Sequence, residues 1–520
     1  MTDRSSVVKT RLPRHRWIYV ALASLILLAH EGFYYRDLGG AAVDDAFISF
    51  RYAQNLVTGQ GLVFNPGEKV EGYTNFLWTV ILAAFMRLGF DPSAVSIVLG
   101  AAFSVATLWL VYQFCRLISP TEPMIPIIAS LCLAVDGSFA LWAVSGMETS
   151  MFAFLVLSAL ACHVWEWQRG KPGLLSGALL ALAAMTRPEG VLVFAVLMLH
   201  QVLGRLVVRR QLLASADIAK AGAFLGLYLP YFLWRYYYYG FLLPNTFYAK
   251  VTVQDVGAQY QRGLRHIATF GRLHLGWLLT LLALVAAFKR RISFWLTAVL
   301  VVVMVYLGYI VYVGGDWSVG RFFVPLLPPG YMLVATGLTQ TYATVKRLAG
   351  RVTQSGGAIA ALRASALAVL ALWCTILFNS TSLHGEHELF VTPFQAARAT
   401  HARVAMGEWL ARNVPEDTYI AVDAAGQIPF YSGLRTLDMF GVNDVHTAHI
   451  KVEEMGSGVP GHEKLDFDYI MWKQPDLIIA SAPFLEGSDM YDRLDVAWTE
   501  DPSLSSFLFI YQRKGWAGYS

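Results

Sequence analysis

The chain has 520 residues, of which 56% are hydrophobic and 15% charged, against roughly 25% charged in an ordinary soluble domain. That balance excludes a soluble globular enzyme, a disordered chain and a coiled coil. A net charge of +4 with no basic stripe on a polar face also excludes a nucleic-acid binder. What remains is a polytopic membrane protein, whose spans each need about 20 apolar residues.

Charge divides the chain in two. Of the 36 acids and 40 bases, residues 385–520 hold 20 and 10, which leaves 16 acids and 30 bases in residues 1–384. Bilayer bundles keep Lys and Arg on the cytoplasmic side. A basic transmembrane body, 1–384, is therefore expected to carry an acidic, water-soluble domain, 385–520, on the outside.

In chain order, Arg4, Lys9, Arg11, Arg14 and Arg16 precede an apolar run, Trp17 to Leu28, with no small-x-small cleavage site after it. This predicts an uncleaved first span with a cytoplasmic N-terminus. The loop that follows begins Val43-Asp44-Asp45-Ala46-Phe47. Phe47, Phe50 and Leu56, with Arg51, fit a helix lying along the membrane surface, capped by Asp44 or Asp45. The Gly, Asn and Pro residues of 59–75 predict a folded loop rather than a linker.

Further apolar runs lie near 76–90, 93–115, 123–145, 149–167, 173–186, 189–204, 221–239, 274–288, 293–313, 321–340 and 365–379. The clusters Arg169/Lys171, Arg205/Arg209/Arg210, Lys289/Arg290/Arg291 and Lys346/Arg347/Arg351 mark cytoplasmic loops. Twelve spans would leave the tail inside, so one segment between 74 and 145, first of all 76–90, is expected not to cross. An odd count, about 11 or 13, satisfies the charge rule. The tail reads as α/β, with a helix over Ala402–Asn413 and strands at Tyr419–Val422, Asp476–Ala480 and Ser506–Arg513. Its His446, His449 and His462 have no metal-ligand spacing and read as a polar surface. Cys115, Cys132, Cys162 and Cys374 all sit in apolar runs and form no CxxC, which predicts small buried hydrophobes rather than zinc or disulfides.

Five outward loops carry ionisable or amide groups where charged side chains near helix ends otherwise simply snorkel: Asp44-Asp45, Ser145-Gly146-Met147-Glu148-Thr149, Thr186-Arg187-Pro188-Glu189-Gly190, Pro244-Asn245-Thr246 with Lys250, and Gly315-Asp316-Trp317 with Arg321. Together they predict a shared polar cavity at the external membrane surface. Cations there suit a lipid-linked phosphate, and a carboxylate suits a general base on an acceptor hydroxyl.

These same segments, with Gly61-Leu62-Val63-Phe64-Asn65-Pro66-Gly67-Glu68 and Glu71-Gly72-Tyr73-Thr74-Asn75, resemble bacterial membrane glycosyltransferases of the GT-C superfamily. Within it they are similar to the mycobacterial terminal arabinofuranosyltransferases. The likeness spans roughly residues 17–330. Asp423-Ala424-Ala425-Gly426 and Asp438-Met439-Phe440-Gly441 resemble the same group's periplasmic C-terminal domain. The resemblance implies a helical GT-C bundle of about 11–13 transmembrane helices with a soluble α/β tail, in the bacterial inner membrane, with site and tail extracytoplasmic. It implies inverting transfer of an arabinofuranosyl, mannosyl or similar sugar from a polyprenyl-phosphate donor to an envelope glycan, lipid or protein. The base it implies is Asp44 or Asp45, with Asp44 preferred. Arg187, Lys250 and Arg321 are then candidates for the donor phosphate. Glu148, Glu189 and Asp316 are candidates for the acceptor pocket or for a divalent cation, Ca²⁺ or Mg²⁺, which the acids permit without demanding. Two other readings compete. A flippase or transporter of a lipid-linked saccharide predicts mid-bilayer charges and paired broken helices, and a non-catalytic scaffold has no need of acids in the first loop.

Overall fold

The computed structural model describes residues 16–518 apart from 252–255, 290–292, 319, 353–355, 379–392, 453–454, 457, 484, 486–487, 495, 502–503 and 517. The N-terminal bases before Arg16, and Arg290 and Arg291, lie outside the described residues.

The body is helical. It runs α1 (Arg16–Asp37), α2 (Asp44–Val57), α3 (Phe76–Arg87), α4 (Pro92–Ile118), α5 (Met124–Ala134), α6 (Gly137–Ala143), α7 (Thr149–Arg169), α8 (Leu174–Thr186) and α9 (Glu189–Arg209). It continues with α10 (Ser215–Tyr239), α11 (Asn245–Val251), α12 (Val256–Leu273), α13 (Gly276–Lys289), α14 (Phe294–Val313), a 3-10 turn at Arg321–Leu326, α15 (Leu327–Val352) and α16 (Gly356–Phe378). Aspartates start several of these where the chain enters the bundle. Asp91 accepts from the Ala94 N–H ahead of Pro92, and Asp136 accepts from the Phe139 N–H, each satisfying an amide that the first helical turn leaves open.

Among the described residues, seven helices are long and apolar enough to cross a bilayer, or eight if α5 and α6, bent by 62° at their junction, form one span. Two shorter apolar helices, Phe76–Arg87 and Leu174–Thr186, stand beside these. The 76–90 run, the segment first expected not to cross, folds as the 12-residue α3, about 18 Å long at 1.5 Å per residue, well short of a ~30 Å hydrocarbon core. The 123–145 run is broken at Val135-Asp136. On the bundle flank Leu25, Val98, Val207, Ile218 and Leu367 stand 63–80% exposed, an apolar girdle that makes sense against lipid and not against water. The chain is a multi-span membrane protein.

The tail holds α17 (Pro393–Asn413), β1 (Tyr419–Val422), α18 (Gln427–Ser432), β2 (Arg435–Asp438), α19 (Val445–His449), α20 (Phe467–Lys473), β3 (Leu477–Ala480), β4 (Tyr491–Arg493) and β5 (Phe509–Arg513). Its sheet order is β2-β1-β3-β5-β4. β1 runs parallel to β2 and β3, and β5 runs antiparallel to β3 and β4. β2 and β4 were not foreseen: Arg435–Asp438 is too short and too polar at its ends to show a period. β3 is buried on both faces, as its unbroken Leu-Ile-Ile-Ala run requires.

Tail and body share a core. Tyr52, Leu62, Phe64, Tyr73 and Tyr239 of the body pack in one cluster with Met406, Leu410, Ile420, Ile428 and Ile479 of the tail. This corrects the expectation for α2. Phe47 and Phe50 do not lie on the membrane; their rings pack on Phe430, with centroids 5.3 and 6.2 Å apart. Arg51 is buried and donates to the carbonyls of Phe64, Leu434 and Pro429 and to Asn65 Oδ1. The N-cap position of α2 is Val43, with Asp44 and Asp45 in the first turn, where carboxylates favour the helix dipole.

Candidate active site

The five loops converge. One cavity of about 200 Å³ is lined by Asp45, Glu148, Arg187, Glu189, Lys250, Asp316 and Arg321, with Asn75, Tyr309 and, from the tail, Val442 and Pro460. Seven of the eight side chains singled out from the sequence meet there, and Asp44 does not. Local backbone explains the meeting. The Val43 N–H donates to Ser145 O and the Trp78 indole N–H donates to Gly146 O, which ties the first loop and α3 to the turn before α7. Gly146 has φ +84, and a Cβ there would lie 2.4 Å from Ala42 Cβ, so only glycine lets the two loops approach this closely.

Asp45 Oδ2 accepts from Trp317 Nε1 at 3.1 Å and from Arg321 Nη1 at 3.2 Å. Its side chain is 32% exposed, whereas those of Glu148, Glu189 and Asp316 are 2–3% exposed. Arg321 grips Asp316 with two bonds, Nε to Oδ2 at 2.6 Å and Nη2 to Oδ1 at 2.7 Å. Arg187 bridges Glu148 at 2.7 Å and Glu189 at 2.8 Å. Asn75 Nδ2 donates to the second oxygen of Glu148 at 2.7 Å, while Asn75 Oδ1 accepts from Ser49 and Thr79. Three acids are thus locked in place, and Asp45 is the acid that a substrate can reach.

Among the described residues, Lys250 has no ion pair or hydrogen bond and stands half-buried on the cavity wall. Burial, and then the neighbouring Arg321, hold its ammonium below the ordinary lysine value, with Asp316 and Asp45 pulling the other way. Burial also pushes the Asp316 carboxyl up, but Arg321 and Lys250 outweigh it and hold it below the usual range. Gly461 presses on the Lys250 stem from the tail, since a Cβ there would meet Lys250 Cε at 2.9 Å.

Asp44, the preferred base on sequence, points the other way. Its Oδ1 accepts from the Gln427 N–H at 2.8 Å and its Oδ2 from the Gly426 N–H at 3.1 Å. Burial raises its carboxyl above the ordinary value, against Arg403 and these two amides. Asn75 and Trp317 were missed as site residues, although both stand in the motifs that drew attention. Nothing in the sequence showed that an amide would buttress Glu148 or that an indole would hold Asp45.

As placed, the acids form no ready-made divalent-cation site among the described residues. Ca²⁺ or Mg²⁺ takes six or more oxygen ligands, but among the described residues no three His, Cys, Asp or Glu side chains gather in a metal-binding group. Glu148, Glu189, Asp316 and Asp45 each already face a guanidinium.

Comparison with known proteins gives three findings. Residues 394–517 match a family described as a domain of unknown function (DUF8728). The chain is 30% identical over 274 residues to a terminal β-(1→2)-arabinofuranosyltransferase of Mycobacterium tuberculosis; the match takes in 48% of this chain and 42% of that protein, so the chain spans less than half of the relative's length. Its fold is similar to ArnT from Cupriavidus metallidurans bound to undecaprenyl phosphate, with a TM-score of 0.59 and 13% identity, covering 96% of this chain and 98% of ArnT. It is also similar to the Archaeoglobus fulgidus oligosaccharyltransferase in its apo form, with a TM-score of 0.59 and 12% identity over 90% of this chain and 70% of that one. The Archaeoglobus fulgidus oligosaccharyltransferase AglB in complex with an inhibitory peptide and a dolichol-phosphate gives 0.56 and 11% over 90% and 69%. The chain therefore carries the GT-C fold, and in sequence it resembles an arabinofuranosyltransferase.

Proposed function

We propose that this chain is a glycosyltransferase that moves a sugar, arabinofuranosyl or a related residue, from a polyprenyl-phosphate carrier to a hydroxyl of an envelope glycan, lipid or protein. The observation that carries the reading is the meeting, in one cavity, of the accessible carboxylate of Asp45 with the ammonium of Lys250, which has no partner among the described residues. An arabinofuranosyltransferase relative and two folds solved with polyprenyl phosphates support it. Asp45 takes the proton of the acceptor hydroxyl as its oxygen bonds to the anomeric carbon. The bond from that carbon to the phosphate oxygen breaks, and the polyprenyl phosphate leaves with the electron pair, its charge met by Lys250. One base and one displacement invert the anomeric centre. Arg321 and Trp317 hold Asp45 in place, and Glu148, Glu189 and Asp316 fix the two arginines that shape the pocket.

Transfer by the purified protein from a polyprenyl-phosphate sugar to an envelope acceptor, with the anomeric configuration of donor and product read by NMR, tests the reading. Absence of transfer with every carrier-linked sugar tried overturns it.

Lys250 gives a pH signature. Its charged form binds phosphate, so affinity is lost as pH rises through its lowered value, earlier than the ~10.4 of an ordinary lysine. Lys250→Met is expected to raise the donor KM about 10- to 100-fold, the cost of one charge-assisted bond of roughly 1.5–3 kcal/mol, and to remove the alkaline limb of kcat/KM. An unaltered limb would take Lys250 out of the donor site.

The cavity is proposed to open on the outer face of the inner membrane. Gln60, exposed in the first loop, and Arg169, exposed at the end of α7, lie in regions assigned to opposite sides. A membrane-impermeant maleimide on intact cells is expected to label Gln60→Cys and not Arg169→Cys; the reverse pattern inverts the topology.

A further inference from the structure

In doubly wound sheets the crevice beyond the carboxyl ends of parallel strands is where ligands sit. Here that edge of the tail holds pieces of the membrane body. The loop leaving β1 gives two backbone N–H groups, Gly426 and Gln427, to the Asp44 carboxylate. The approach is so close that a Cβ on Gly426 would lie 1.9 Å from Asp44 O. The turn leaving β2 is built by Asp438, which accepts from the N–H groups of Phe440 and Asn443 and from Asn443 Nδ2. That turn offers the carbonyls of Gly441, Val442 and Asp444, at 2.9, 3.1 and 3.1 Å, to the side-chain amide of Asn245. Asp44 is the residue before Asp45, and Asn245 opens the seven-residue α11 that carries Lys250.

We infer that the tail domain is a positioning device for the site, its β1 and β2 loops seating Asp44 and Asn245 so that one sheet fixes Asp45 relative to Lys250. This rests on the proposed reading of that pair. It gives the two adjacent aspartates different work: Asp45 faces the substrate, and Asp44 acts through Asp45. Displacement of a reacting group by about 1 Å costs on the order of 100-fold in rate, so a seat that holds the first turn of α2 sets turnover more than binding.

The test uses the full-length protein in detergent or nanodiscs. Asp44→Ala is expected to lower kcat about 10- to 100-fold with the donor KM nearly unchanged. Asp44→Asn, whose amide oxygen still accepts one of the two N–H bonds, is expected to restore most of it. Asn245→Ala, on the other side, is expected to raise the donor KM more than it lowers kcat, and it serves if Asp44→Ala does not fold. Hydrogen exchange at Gly426 and Gln427 is expected to rise in Asp44→Ala and to stay as in the parent in Asp45→Asn. Wild-type kcat in Asp44→Ala, an unmoved KM in Asn245→Ala, or unchanged exchange at Gly426 and Gln427 in Asp44→Ala overturns the inference. The exchange arm needs no turnover: if Asp45→Asn keeps full activity while exchange responds as expected, the base assignment has failed and the seat has not.

Discussion

Asp45→Asn is expected to bind the carrier-linked sugar normally and to turn over about 100- to 10,000-fold more slowly, the usual span for loss of a general base. The substitution keeps size and shape, and the amide oxygen can still accept from Trp317 and Arg321, so the wall around it stays in place. What disappears is the capacity to take a proton from the acceptor. The other acids cannot substitute: Glu148, Glu189 and Asp316 are almost fully buried and held by Arg187 or Arg321. Donor binding, followed by displacement of a labelled polyprenyl phosphate, separates the two steps. Full turnover in Asp45→Asn would mean that another group removes the proton.

Much of this site was legible because chemistry stands out against an apolar background. In a bilayer an ionisable residue at a helix end needs a reason, and five such places shared one side of the charge pattern. That alone brought Asp45, Glu148, Arg187, Glu189, Lys250, Asp316 and Arg321 together before any coordinates. The choice within Asp44-Asp45 was not legible. Successive residues in a helix lie about 100° apart, so one of the pair had to face away, and the face taken depends on a tail more than 380 positions later. The same distance hid the burial of Phe47, Phe50 and Arg51, whose pattern on its own fits a membrane surface equally well. Span counting rests on a different signal. Apolar runs report what is buried in lipid or protein alike, and α3 and α8 are apolar partly because they face other helices. Contacts inside the bundle left no trace at all: Lys220 Nζ meets His163 and Gln201, three residues on three helices whose spacing in sequence shows no pattern.

Arg187→Leu is expected to do more damage to the fold than any other single change in the cavity. The guanidinium sits between Glu148 and Glu189, with 10% of its side chain exposed against 2% and 3% of theirs, and over the rings of Phe322 and Phe152 at 5.4 and 5.9 Å. Removing it leaves two carboxylates close together with little water, a change that typically costs about 3–5 kcal/mol. Thermal unfolding in detergent should therefore begin well below the parent's. The charges, not the lost volume, are expected to cause this, because leucine fills much of the same apolar space. Adding Glu148→Gln and Glu189→Gln to Arg187→Leu should then recover most of the lost stability, since uncharged side chains at a buried site are often tolerated as well as the ion pair they replace. If the triple variant unfolds as early as Arg187→Leu alone, the loss comes from packing on Phe152 and Phe322. If Arg187→Leu is as stable as the parent and only its donor affinity falls, then the arginine is held for the phosphate, and Lys250 is not the cation that meets the leaving group alone.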